Sequence, residues 1–83
     1  MNEPPNDRIH IEVLHERKSD VCREILESLP EWFGIPEAID SYAKGVAELP
    51  MLAAKASQGL IIGFIALKPQ TLSAIEAYVL GIR

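Results

Sequence analysis

Glu76 is the acidic residue best placed for chemistry. It is the only acid after Glu48 and lies inside the apolar run Ala74-Ile75-Glu76-Ala77-Tyr78-Val79-Leu80. A carboxylate enclosed by an apolar strand loses hydration, which favours its neutral form and suits it to general-base work near neutral pH. The same residue can equally face water from the polar side of a half-buried strand. Trp32 and Phe33, just before Gly34, are the second candidate. Aromatics on a connection line binding pockets, or they plug the space between flanking helices. Cys22 falls on an apolar helical stripe and reads as a small core residue rather than a nucleophile. His10 and His15 have no partner at a ligand spacing, so no metal site is expected. Ser, His and Asp are present without a nucleophile-elbow motif. The spacing of Gly59 and Gly63 fits a hairpin turn and close packing, not a phosphate loop.

These residues need elements to position them. Ile9, Ile11 and Val13 alternate with polar His10 and Glu12, the period of a strand. Ser19 is a candidate helix cap with Asp20 in the first turn. Val21, Cys22, Ile25, Leu26 and Leu29 then follow helical spacing, and Pro30 stops the helix. Pro36 suits the first position of a second helix, with Ile39, Tyr42, Ala43 and Val46 as its stripe and Pro50 as its end. Gly45 inside that helix costs about 1 kcal/mol against alanine. Strands are predicted at 51–57 and 60–67 around a Ser57-Gln58-Gly59 turn, which makes them an antiparallel hairpin. A longer turn with Pro69 covers 68–73, and a last strand covers 74–83. The order is β-α-α-β-β-β, an α+β fold with a mostly antiparallel four-stranded sheet and two helices. The run Leu60–Leu67 is apolar on both faces. Two short helices cover one face of such a sheet, so something else must cover the other.

Composition narrows the classes. The chain has 83 residues, 48% of them apolar, and a net charge of -4. That length fits one domain, here residues 9–83 behind a loose polar tail at 1–8. A chain this short buries about 60% of its unfolded surface, so its core is marginal. A single cysteine excludes an intrachain disulfide framework. Residues 1–48 hold 11 acids and 5 bases; residues 49–83 hold one acid and three bases. No basic stripe is present for nucleic acid. No run of about 20 apolar residues spans a membrane, since Lys55, Ser57, Gln58 and Gly59 interrupt the best stretch. The first residues lack the pattern of a secretory signal, which makes the cytoplasm the default location.

Leu29-Pro30-Glu31-Trp32-Phe33-Gly34-Ile35-Pro36-Glu37-Ala38-Ile39 with Tyr42, Leu49-Pro50-Met51-Leu52-Ala53-Ala54, Gly59-Leu60-Ile61-Ile62-Gly63-Phe64-Ile65 and Ala74-Ile75-Glu76-Ala77-Tyr78-Val79-Leu80-Gly81-Ile82 together resemble the N-terminal half of the GNAT superfamily of N-acetyltransferases. The resemblance spans about residues 9–83. It implies the N-terminal half of an acyl-CoA N-acyltransferase fold and acetyl transfer from acetyl-CoA to an amine. It implies Glu76 as the base on the family's fourth strand. It places Leu80, Gly81 and Ile82 along the pantetheine arm, where a preorganised N–H polarises the thioester carbonyl. Trp32, Phe33 and Tyr42 fall in the region that shapes the acceptor site. The family's pyrophosphate loop, Arg/Gln-x-x-Gly-x-Gly/Ala at a helix N-terminus, follows the fourth strand, and this sequence stops at Arg83 before it.

Three expectations follow. The chain is a truncated acetyltransferase with a small-molecule or peptide amine as acceptor, inactive alone because it lacks the phosphate loop. It associates with copies of itself through the exposed edge of its last strand. Or it is a small non-enzymatic interaction module anchored by Trp32 and Phe33. Neither nucleic acid nor a membrane is an expected partner.

Overall fold

The computed structural model describes residues 9–32, 34–71 and 74–83. The expected tail at 1–8, the candidate residue Phe33 and positions 72–73 of the expected long turn lie outside the described residues. In chain order the elements are β1 (Ile9–Val13), α1 (Lys18–Glu27), a 3-10 turn at Pro30–Trp32, α2 (Pro36–Gly45), a 3-10 turn at Val46–Glu48, β2 (Met51–Ala56), β3 (Ile61–Thr71) and β4 (Ala74–Ile82). The strands form one sheet in the order β1-β2-β3-β4, with every neighbouring pair antiparallel. This is the predicted α+β arrangement with two helices and a four-stranded sheet.

The apolar stripes place both helices on one face of the sheet. Val21, Cys22, Ile25 and Leu26 of α1 and Ile39 and Ala43 of α2 are buried. They meet Met51, Phe64, Ala66 and Val79 from the sheet, with Val46 between the layers. Ile25, Leu26, Met51 and Val46 are fully enclosed, and truncating such a side chain to alanine costs about 2–5 kcal/mol.

Several boundaries differ from the sequence expectation. Ser19 does not cap α1. The helix begins at Lys18, and Arg17 takes the cap position in a left-handed conformation with no side-chain cap bond. Ser19 Oγ instead donates to the Ala43 carbonyl at 2.5 Å. That carbonyl lies in the last turn of α2, where acceptors lack intrahelical donors, so the hydroxyl joins two helices rather than starting one. Lys18 Nζ donates to the Leu49 carbonyl at 2.7 Å and ties the start of α1 to the segment just before β2. Pro36 opens α2 as expected, but the helix ends at Gly45, and Val46–Glu48 tightens into a 3-10 turn before Pro50.

β3 does not stop at Leu67. It continues through Pro69 to Thr71. β2 ends beside Ala66, and the Leu67 N–H donates to the Pro50 carbonyl at 2.9 Å. Two residues on, the nitrogen of Pro69 points the same way, toward a side where β2 is no longer present. A proline there removes no ladder bond. Leu67–Thr71 and Ala74–Ala77 therefore form a two-stranded ribbon that runs past β2.

Register settles the two faces of the sheet. His10 and Glu12 share the helix-covered side with Ala53 and Lys55, and Glu12 pairs with Lys55 Nζ at 2.6 Å. Ile9, Ile11 and Val13 oppose Ala56, Ala54 and Leu52 on the other side. That row continues through Gly63 and Ile65 to Ile82 and Leu80. No described element covers this second face.

Candidate functional site

The connection between α1 and α2 forms one wall of a cleft of about 360 Å3, lined by Arg23, Glu27, Trp32, Gly34, Pro36 and Ile39. The Pro30–Trp32 turn carries the half-buried indole to this position. Gly34 permits the reversal with φ of +82°, a conformation that side chains other than glycine's rarely adopt. Arg23 Nη2 bonds Asp40 Oδ1 at 2.7 Å, and Lys44 Nζ approaches Asp40 Oδ2 at 3.2 Å. Those two cations hold the Asp40 carboxyl below its usual range, and the Asp40 hydrogen bond in turn raises Arg23. Glu27, the carboxylate among the residues lining the cleft, also raises Arg23 through its charge.

Trp32 and Tyr42, both singled out by sequence, come together. Their rings meet edge to face with centroids 5.5 Å apart and planes at 87°. Tyr42 continues onto Tyr78 of β4 at 5.2 Å and 71°. The result is an aromatic ladder from the cleft wall to the sheet, in the edge-to-face geometry that ring quadrupoles favour. Tyr78 was not among the sequence candidates. It stands where the β3–β4 register shifts: Ala66 opposes Val79 and Leu67 opposes Ala77, so Tyr78 is the extra residue of a bulge. A bulge turns a side chain away from plain alternation, and Tyr78 thereby reaches α2. A signal was present at Gly45, whose missing side chain leaves the space in which the Tyr78 hydroxyl and ring sit.

Glu76 is not enclosed. The apolar desolvation anticipated for it is absent, because its part of β4 belongs to the ribbon and stands in solvent. It opposes Lys68 across the ribbon and accepts a hydrogen bond from Gln70 Nε2. It lines none of the described clefts. Register nevertheless puts it on the helix-layer side of the sheet, two residues from Tyr78.

Leu80, Gly81 and Ile82 divide by parity. The Arg83 N–H donates to the Ile62 carbonyl at 2.9 Å. Antiparallel alternation then turns the backbone groups of Gly81 toward β3 and those of Leu80 and Ile82 away from it. Because no strand among the described residues lies beyond β4, Leu80 and Ile82 present N–H and C=O groups at an open edge. Gly81 is spent on packing: a Cβ there would lie 2.8 Å from Phe64 Cε1 and 3.0 Å from Ile25 Cγ2. Arg83 fixes this end of β4 by donating to the Ile61 carbonyl and approaching Glu24 of α1 at 3.6 Å.

Cys22 is fully buried, and desolvation pushes its thiol up to about 11, which fits the core role read from its stripe. Among the described residues no group of three His, Cys, Asp or Glu side chains is arranged to hold a metal ion. No helix among them is long and apolar enough to cross a membrane. Comparison of the chain with family models, with curated proteins and with solved structures finds no match.

Proposed function

We propose that this chain carries the acceptor cleft and the pantetheine-contacting strand of a GNAT-like N-acetyltransferase fold, which moves acetyl from acetyl-CoA to an amine, and that it is inactive without further diphosphate-binding elements. The observation that carries the reading is the unpaired edge of β4, where Leu80 and Ile82 turn backbone groups outward. Pantetheine is a run of secondary amides, and it pairs with such an edge as an added strand does. Among the described residues no glycine-rich loop opens a helix to hold a diphosphate.

The residues have distinct parts in this reading. Glu27 orients a cationic amine in the cleft by a charge-assisted hydrogen bond. Trp32, Tyr42 and Tyr78 wall off water between cleft and sheet. The outward N–H groups of β4 stabilise negative charge on the carbonyl oxygen under attack. Acetyl-CoA supplies the activated acyl carbon. Once the ammonium has given up one proton, its nitrogen forms the new C–N bond, the C–S bond breaks, and the sulfur leaves as the thiol with the second nitrogen proton. Glu76 accepts the amine proton through a bridging water.

A thermal-shift comparison of acetyl-CoA with acetyl-pantetheine tests this. Contacts confined to the β4 edge predict equal, small stabilisation by the two ligands. A much larger shift with acetyl-CoA, or acetyl transfer by the chain alone, contradicts the proposed division of the site.

A second reading, a small non-enzymatic oligomeric α+β interaction module, is favoured by the exposure of Glu76 and its absence from every described cleft. Glu76→Gln leaves function untouched under that reading, while Trp32→Ala abolishes partner capture.

A further inference from the structure

The sheet face opposite the helices carries no charged residue among the described positions. Its exposed members include Ile11 at 65%, Leu80 at 54% and Ile82 at 67%, with Ile65 between them. Each charged strand residue falls on the other side by register or contact: Glu12 and Lys55 as a pair, Lys68 opposite Glu76, and Arg83 against α1. Exposed patches of this kind on small proteins mark interaction surfaces.

We infer that a second copy of this chain covers the open face, sheet against sheet, in a two-fold dimer. Size selects the occupant. The strands hold 5, 6, 11 and 9 residues. At about 3.3 Å per residue and 4.8 Å between strands, the face measures roughly 26 by 19 Å. That is roughly 500 Å2 of flat area per copy and roughly 1,000 Å2 for a pair before side-chain relief is added, which reaches the threshold of about 1,000 Å2 for a biological interface. A single helix about 10 Å wide covers only half the width, whereas an identical four-stranded sheet covers it all at the usual spacing of about 10 Å.

Charge and shape agree. The net charge of -4 opposes self-association in general, but no acid among the described residues lies on this face, so stacking brings none of those like charges together. The same net charge, with no cation on the face, disfavours an anionic lipid surface. Ala54 and Gly63 leave a depression of about 190 Å3 between the Ile11 side and the Leu80 and Ile82 side, room for an aliphatic side chain from the opposing sheet. Stacking by faces also leaves the β4 edge unpaired. The dimer thus differs from association through that edge and does not depend on the proposed chemistry.

Sedimentation equilibrium of the full chain from 1 to 500 µM (concentrations on the order that spans micromolar dissociation) tests the inference. A monomer–dimer transition is expected, and a monomer throughout overturns the dimer. Ile11→Glu adds two carboxylates to the apolar interface at the edge remote from β4 and should weaken the dimer about a hundredfold or more, with the circular dichroism unchanged. An undiminished dimer in this variant points to β4 edge pairing and overturns the face. Methyl spectra of the wild-type chain with a soluble paramagnetic probe give a readout that needs no variant. Protection of Ile11, Ile65 and Leu80 methyls that grows with protein concentration supports stacking. Full accessibility of those methyls at high concentration overturns it, as does a monomer that floats with phosphatidylcholine vesicles.

Discussion

Gly45→Ala isolates the contact that joins α2 to β4. Gly45 has φ of -66° and ψ of -36°, ordinary helical values, so alanine fits the backbone. Helix propensity alone then favours the substitution by about 1 kcal/mol. The new methyl, however, would meet the Tyr78 hydroxyl and lie 2.9 Å from Cζ and 3.0 Å from Cε2. Tyr78 cannot swing away freely, because Tyr42 packs against its ring and Trp32 packs against Tyr42. Overpacking of this sort costs about 1–3 kcal/mol, so the net effect in the natural chain is a destabilisation of about 1 kcal/mol. In a Tyr78→Ala background the obstruction is gone, and Gly45→Ala should stabilise by about 1 kcal/mol. The sign reversal corresponds to a coupling of about 2 kcal/mol in a double-mutant cycle. Urea unfolding at constant m resolves this, and thermal scans should show about 4–8 °C per kcal/mol for a domain of this size. Stabilisation by Gly45→Ala in the natural chain would refute the reasoning.

Other consequences are equally direct. Gly81→Ala should destabilise by about 1–3 kcal/mol in denaturant titrations, since its Cβ lands between Phe64 and Ile25; a neutral result would mean that layer is loosely packed. Native Cys22 should resist thiol reagents at pH 8 and react on the timescale of unfolding, because burial holds its thiol near 11; rapid labelling of the folded chain would contradict its placement. Asp40 has a folded-state pKa below its unfolded one, through Arg23 and Lys44. Its contribution to stability is therefore complete above the ordinary carboxylate range and is lost as pH falls through the lowered value. Asp40→Asn should flatten the acid limb of the stability profile, and an unchanged limb would show the pair contributes nothing.

Much of this fold is legible in residue order, and the exceptions have local causes. Ile9, Ile11 and Val13 declare a strand by alternation, yet alternation alone cannot say which face is covered. The apolar row is the open one, because the helices lie over the His10 and Glu12 side. Ser19 reads as a cap because capping is the local use of serine; its hydroxyl instead bonds a carbonyl 24 residues away, which no local pattern encodes. Pro69 reads as a turn until the limit of β2 at Met51, beside Ala66, and the Pro50–Leu67 bond are known. Trp32 stands out by its type and its place before Gly34 and Tyr42 through the family resemblance, whereas the edge-to-face packing of their rings is visible only in the fold. Tyr78 was hidden by its place in an apolar strand, since only the bulge directs it toward α2. Glu76 illustrates the opposite case, as a charge flanked by apolar residues in sequence but set on a ribbon that passes beyond the helices. The apolar run of β3 predicted a sheet needing cover on both faces, and the helices supply it on one.

The central claim is that the free edge of β4 receives the pantetheine arm, and amide chemical-shift mapping with acetyl-pantetheine tests it most directly. Saturable shifts at the Leu80 and Ile82 amides are predicted, with Gly81 and the β1 amides nearly still. No saturable shift, or shifts centred on β1 or the α1 N-terminus, would contradict it.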